Sequence, residues 1–142
     1  MEFNKKIDIA TNLFQKHLSK FTDSNMTEES YAELFTEDAV QQFPYAPAPY
    51  ATEVIGREAI VEYISNVTQG AKDWKFDNFI FTATEDPEVF FVEFEGGATV
   101  LSTGKDYHQL YIGQLTLKDN KIAAYREYWN PIWILDAFVS KK

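Results

Sequence analysis

The chain has 142 residues, enough to enclose one hydrophobic core and too few for two, which predicts a single domain over 1–142. Hydrophobic residues at 45% and charged residues at 25% exclude disordered and membrane-spanning classes. A net charge of −9 opposes nucleic-acid binding, which depends on clustered Lys and Arg, and the absence of Cys excludes disulfides, thiolate nucleophiles and zinc–thiolate sites.

The composition is unusual in its aromatics. Twelve Phe, eight Tyr and three Trp exceed what a core this small needs for filling, so some are expected to line a cavity. The segment from Met1 to Ala10 carries Glu2, Lys5, Lys6 and Asp8 where a signal peptide would be apolar, so a cytoplasmic location is expected.

From Ile7 to Phe21, apolar residues recur at three-and-four spacing (Ile7, Ala10, Leu13, Phe14, Leu18, Phe21), the pattern of an amphipathic helix, with His17 on the same stripe. Thr27 is a suitable cap for a second helix running to about Phe35, with Glu28 and Glu29 in its first turn. A short strand follows over Ala39–Phe43 and is closed by Pro44, Pro47 and Pro49, which make a rigid aromatic loop through Tyr45 and Tyr50. Ile60, Tyr63, Ile64 and Val67 mark a third helix ending near Gly70.

The remaining chain reads as four strands: Trp74–Thr84, Val89–Leu101, Tyr107–Leu117 and Ile122–Trp129. Gly96-Gly97 predicts a bulge or sharp bend in the second of them. Asn130-Pro131 would end the last strand and cap a final helix, with Ile132, Leu135 and Val139 facing inward. Helices first and strands afterwards imply an α+β domain with its helices covering one face of an antiparallel sheet.

Three segments carry a family resemblance: Leu34-Phe35-Thr36-Glu37-Asp38-Ala39-Val40 followed by Phe43-Pro44-Tyr45, then Gly56-Arg57-Glu58-Ala59-Ile60, then Tyr125-Arg126-Glu127-Tyr128-Trp129-Asn130-Pro131. In this order the chain resembles the nuclear-transport-factor-2-like superfamily, and in its Pro-rich aromatic loop and Arg-Glu-Tyr-Trp-Asn-Pro ending the SnoaL-like branch, including phenazine-biosynthesis A/B-type proteins. The resemblance implies a cone of strongly curved antiparallel sheet with a mixed edge, closed by N-terminal helices and commonly dimeric. It leaves function open, because the superfamily holds isomerases, dehydratases, cyclases, epoxide hydrolases and non-catalytic proteins.

Strand alternation puts Tyr125, Glu127 and Trp129 on one face of the last strand and Arg126 on the other. Glu127 is then either an unneutralised carboxylate between two aromatics, suited to general acid–base work, or a solvent-facing member of a cross-strand ion pair. The resemblance favours the first role, because relatives place a functional carboxylate at this position. His17 is its candidate partner or, equally, a satisfied core histidine.

Phe14, Phe43, Tyr45, Tyr50, Tyr107, Gln109, Tyr111 and Trp129 are the candidate lining residues for a small hydrophobic or aromatic ligand, such as a polyketide-like molecule. By alternation His108 points away from Tyr107, Gln109 and Tyr111. Phe43, Phe14 and Gln109 stand where ketosteroid isomerases carry their base and oxyanion donors, so that reaction is not expected. Two isolated His residues and no phosphate-cradling Gly-rich loop predict neither a metal site nor a bound nucleotide or other cofactor.

Overall fold

A computed structural model describes residues 2–139, so the first residue and the last three of the expected domain lie outside the described residues. Six strands form one open, curved sheet in the order β2-β1-β6-β5-β4-β3. Its helices lie over one face, giving the expected α+β architecture. Every pair of neighbours is antiparallel except β1 and β6, which run parallel and make the sheet mixed at one side.

Helix α1 (Glu2–Thr22) follows the apolar stripe. Ala10, Phe14, His17 and Leu18 are buried, and Ile7, Leu13 and Phe21 pack around them. Phe14 meets Phe81 and Phe94 edge-on, and Phe21 does the same with Trp74 and Phe76, so the helix is anchored across the far strands of the sheet.

Thr27 caps α2 (Glu28–Ala32) as expected, its hydroxyl accepting from the Ser30 N–H at 3.0 Å. The helix stops at Ala32, short of Phe35. Leu34 and Phe35 instead enter the sheet, with the Leu34 carbonyl accepting from the Ile122 N–H at 2.8 Å. Their burial against β6 is satisfied equally well by an extended backbone, and the tertiary pairing decides the conformation. Strand β1 therefore runs Phe35–Gln42, beginning four residues before Ala39, and β2 (Glu53–Ile55) adds a three-residue edge too short to read from sequence.

Helix α3 (Arg57–Gln69) buries Ile60 and Ile64 and ends at Gly70. Strands β3 (Ala71–Ala83), β4 (Val89–Val100), β5 (Asp106–Lys118) and β6 (Lys121–Tyr128) make the meander, and Asp119 and Asn120, both at positive φ, close the β5–β6 hairpin. The expected bulge at Gly96-Gly97 is not there, because β4 pairs with β5 without interruption from Val89 to Thr99. The irregularities fall on β3, between Lys72 and Lys75 and between Asp77 and Ile80, with Asp73 and Asn78 at positive φ. Gly96 has a packing reason instead: a Cβ there would stand 2.7 Å from the Phe76 ring and 2.9 Å from Tyr111.

At the C-terminal end, Asn130 caps α4 (Pro131–Ile134), accepting from the Ile132 N–H at 2.9 Å, and the chain widens into a π-helical stretch, Leu135–Val139. The widening rotates the inward face. Ile132 and Val139 are 62% and 50% exposed, and Ala137, with Ile134 and Phe138 beside it, packs inward against Val100 and Tyr107. No helix among the described residues is long and apolar enough to cross a membrane.

Candidate functional site

Between the helices and the inner face of the sheet lies a cavity of about 440 Å³, within the range of sites that enclose small organic molecules. Strand β6 delivers its chemistry. The alternation expected from sequence holds, with Tyr125 and Glu127, followed by Trp129 just past the strand, all on the cavity side.

Arg126 points to the opposite face. Its Nε donates to Gln42 Oε1 at 3.0 Å and its Nη1 to Gln114 Oε1 at 3.3 Å, so its charge does not neutralise Glu127. No Lys or Arg is among the cavity-lining residues. Glu127 is half-buried and lines the cavity.

The Tyr125 hydroxyl donates to Glu127 Oε2 at 2.6 Å. Burial pushes the Glu127 carboxyl up to about 7, against the opposing pull of Tyr125 and of the Trp129 indole, which lies near the carboxylate without a hydrogen bond of good geometry. A carboxyl poised there exchanges a proton readily in either direction near neutral pH.

His17 also lines the cavity and is otherwise buried. Its Nδ1 lies 2.7 Å from the Tyr31 hydroxyl, and its ring is 5.5 Å from that of Tyr125. Desolvation lowers its pKa to about 4, so the imidazole is neutral at pH 7. His17 is thus a buried histidine bonded to Tyr31 that also borders the cavity.

Of the expected lining residues, Phe43, Tyr50, Tyr107, Tyr111 and Trp129 border the cavity. Tyr107 and Tyr111 pair their hydroxyls at 3.0 Å, and Tyr111 stacks on Phe94 with ring centroids 4.6 Å apart. Burial pushes both phenols above their ordinary pKa, so they remain hydrogen-bond donors.

Three expected lining residues stand elsewhere. Phe14 lies at the centre of the α1 stripe and is fully buried among Phe81, Phe94 and Tyr125, behind the cavity wall. Tyr45 is 57% exposed, because a turn closed by the Ala46 N–H on the Phe43 carbonyl swings it outward against Tyr128. Gln109 faces inward, but its amide is spent on backbone: Nε2 donates to the Asn130 carbonyl at 3.0 Å, and Oε1 accepts from the N–H groups of Asn130 and Leu110. It fixes the turn that follows Trp129.

Other lining residues escaped the sequence reading. Trp74, Phe76 and Phe94 form an aromatic wall from β3 and β4, and Tyr63 projects from α3. Gln41 borders the cavity from β1, and the alternation Ala39, Gln41, Phe43 held the clue to it. His108 faces outward, 3.3 Å from Glu95. Among the described residues no three His, Asp or Glu side chains gather as a metal site requires.

An open curved sheet roofed by helices, with one half-buried acid in an aromatic cavity, defines a cone-shaped α+β container. The comparisons with known proteins agree. Residues 14–125 match the model of the SnoaL-like domain. The chain is 31% identical over 137 residues to the uncharacterised protein YesE of Bacillus subtilis, covering 96% of this chain and 89% of that protein. It is 32% identical over 113 residues to an uncharacterised PhzA/B-like protein of Pseudomonas aeruginosa, covering 80% and 79%. A crystal structure of a proposed isomerase from Bacillus subtilis superposes with a TM-score of 0.84 at 29% identity, covering 94% of both chains. The chain belongs to the SnoaL-like family.

Proposed function

We propose that the protein binds a small, largely aromatic molecule in the cavity and moves a proton on it without a cofactor, with Glu127 as the general acid–base, in an isomerisation, cyclisation or condensation. The observation that carries this reading is the Glu127 carboxyl on an aromatic cavity wall without Lys or Arg, bonded by Tyr125, its pKa pushed up to about 7 by burial. Neutral His17 and the Tyr107–Tyr111 pair would orient the ligand, and Phe43, Tyr50 and Trp129 would enclose it. A proposed isomerase among the relatives fits this class of chemistry.

A domain of this kind would act in the cytoplasm as a homodimer. The outer sheet face supports a second copy as its cover, because Ile80, Leu110 and Ile112 lie there 46–58% exposed.

The test is hydrogen–deuterium exchange at the α-carbon of aromatic methyl ketones in D2O, followed by NMR. Wild-type protein should accelerate exchange, and Glu127→Gln should bind the same ketones yet lose roughly 10²–10⁴ in rate. Binding with exchange at the buffer rate would instead make the protein a non-catalytic carrier, the reading favoured by an apolar lining alone.

A further inference from the structure

Gln41 projects from β1 toward the inner side of the sheet, between buried Ala39 and Phe43. It is fully buried and borders the cavity. Neither its amide nitrogen nor its amide oxygen has a hydrogen-bond partner among the described residues. The Tyr31 hydroxyl is near enough to feel the amide, but its well-formed bond is to His17.

A primary amide carries two donors and an acceptor with two lone pairs, and leaving them unmade in the interior is costly. Such a group is retained in a core only where something else supplies its partners. Because both ends of the amide lack a partner, the conclusion does not depend on which end is nitrogen. The amide atoms expose almost no surface although the residue borders the cavity, and the terminal torsion of Gln is broad and soft, so the amide can reorient toward a ligand there.

The register places this group usefully. Gln41 pairs with Tyr125 across β1 and β6, and Glu127 is the next inward residue along β6. Strand spacing separates the Gln41 and Glu127 backbones by roughly 8 Å, about the length of a fused two-ring molecule. No cation lines the cavity and Glu127 would repel an anion, while a cationic group only donates and would leave the Gln41 amide N–H groups unmatched, so the matching ligand group is uncharged.

We infer that Gln41 is a specificity-determining ligand anchor, reading an uncharged edge on which a hydrogen-bond donor stands beside an acceptor, as in a carboxamide or lactam on an aromatic ring. This rests on the reading of the cavity as a small-molecule site. Glu127 then addresses a different atom of the same ligand.

The experiment compares 2-naphthamide with its near-isostere 2-acetonaphthone, which keeps the acceptor and replaces the donor by methyl, and with the anion 2-naphthoate. Calorimetric titration of the wild type should show the amide binding roughly tenfold more tightly than the ketone, and the anion most weakly. Gln41→Leu and Gln41→Met should erase the amide preference while keeping or raising the melting temperature, because they remove an unpartnered polar group. Wild-type protein that binds none of the three would overturn the small-molecule reading and the anchor with it. Equal binding of amide and ketone, or a preference that survives both substitutions, would overturn the anchor and leave the cavity reading standing. Loss of folding in both variants would show that the amide serves the structure, and would also overturn it.

Discussion

Glu127 and His17 should make opposite contributions to stability as pH changes, and substituting either one exposes the other. Burial raises the Glu127 carboxyl from an ordinary 4.5 to about 7. Between those values the folded protein holds a proton that the unfolded chain has released, so this contribution is complete below pH 4.5 and is lost as pH rises through 7. His17 is lowered from 6.5 to about 4. Its contribution is complete above pH 6.5 and is lost as pH falls through 4. At about 1.4 kcal/mol per pKa unit, each displacement is worth about 3 kcal/mol. The two windows overlap, so in the wild type these effects largely cancel between pH 4.5 and 6.5. Glu127→Gln should leave the His17 term alone: relative to wild type it gains about 3 kcal/mol between pH 4.5 and 7 and keeps that gain at pH 8. His17→Gln should show the complementary profile, gaining relative to wild type as pH falls from 6.5 to 4. Urea unfolding at half-unit pH steps resolves this, since about 3 kcal/mol moves the midpoint by 1 M or more at typical urea slopes. A Glu127→Gln difference that is flat with pH would refute the buried, uncompensated carboxyl on which the proposed chemistry depends.

Tyr125→Phe removes the hydroxyl that bonds the charged carboxylate, so the Glu127 pKa should rise further, seen as an upward displacement of its titration by carboxyl-carbon NMR with the fold intact. Gly96→Ala sets a Cβ against the rings of Phe76 and Tyr111, and should cost about 1–3 kcal/mol in urea unfolding while narrowing the cavity to two-ring ligands. Ile112→Lys places a charge in the middle of the exposed outer face, and should convert the proposed dimer to monomers in sedimentation experiments without changing cavity binding. Thr27→Ala removes the α2 cap and should cost about 1 kcal/mol in the same unfolding assay, with ligand binding unchanged.

Where the sequence could be read, one period governed both conformation and burial. The α1 stripe and the alternation of Tyr125, Arg126 and Glu127 satisfy that condition, and both appear in the structure with the expected faces. Reading failed where two conformations bury the same side chains equally well. Leu34 and Phe35 suit a helix or a strand, and only the distant pairing with Ile122 selects the strand. It failed again where an inward direction was taken for a place on the cavity. Gln109 does face inward, but the turn at Asn130 takes up its amide, a contact between residues far apart in the chain. The outward swing of Tyr45 and the π-helical widening after Ile134 likewise depend on hydrogen bonds that no hydrophobic period records.

The arrangement of β6 explains how an acid is kept both buried and poised. Alternation sends Arg126 to the outer face, where the Gln42 and Gln114 side-chain oxygens occupy its guanidinium, and sends Glu127 to the inner face, where its fixed partner is a phenol. A cation in place of Tyr125 would pull the carboxyl's pKa down, and loss of the phenol would let burial raise it further. Desolvation set against one short hydrogen bond brings the two forms into balance near neutral pH. His17, kept neutral by burial and bonded to Tyr31, adds no charge to disturb that balance. Trp74, Phe76 and Tyr111 line the same cavity, so under the proposed function a ligand filling it would displace water from Glu127 and govern its proton transfer.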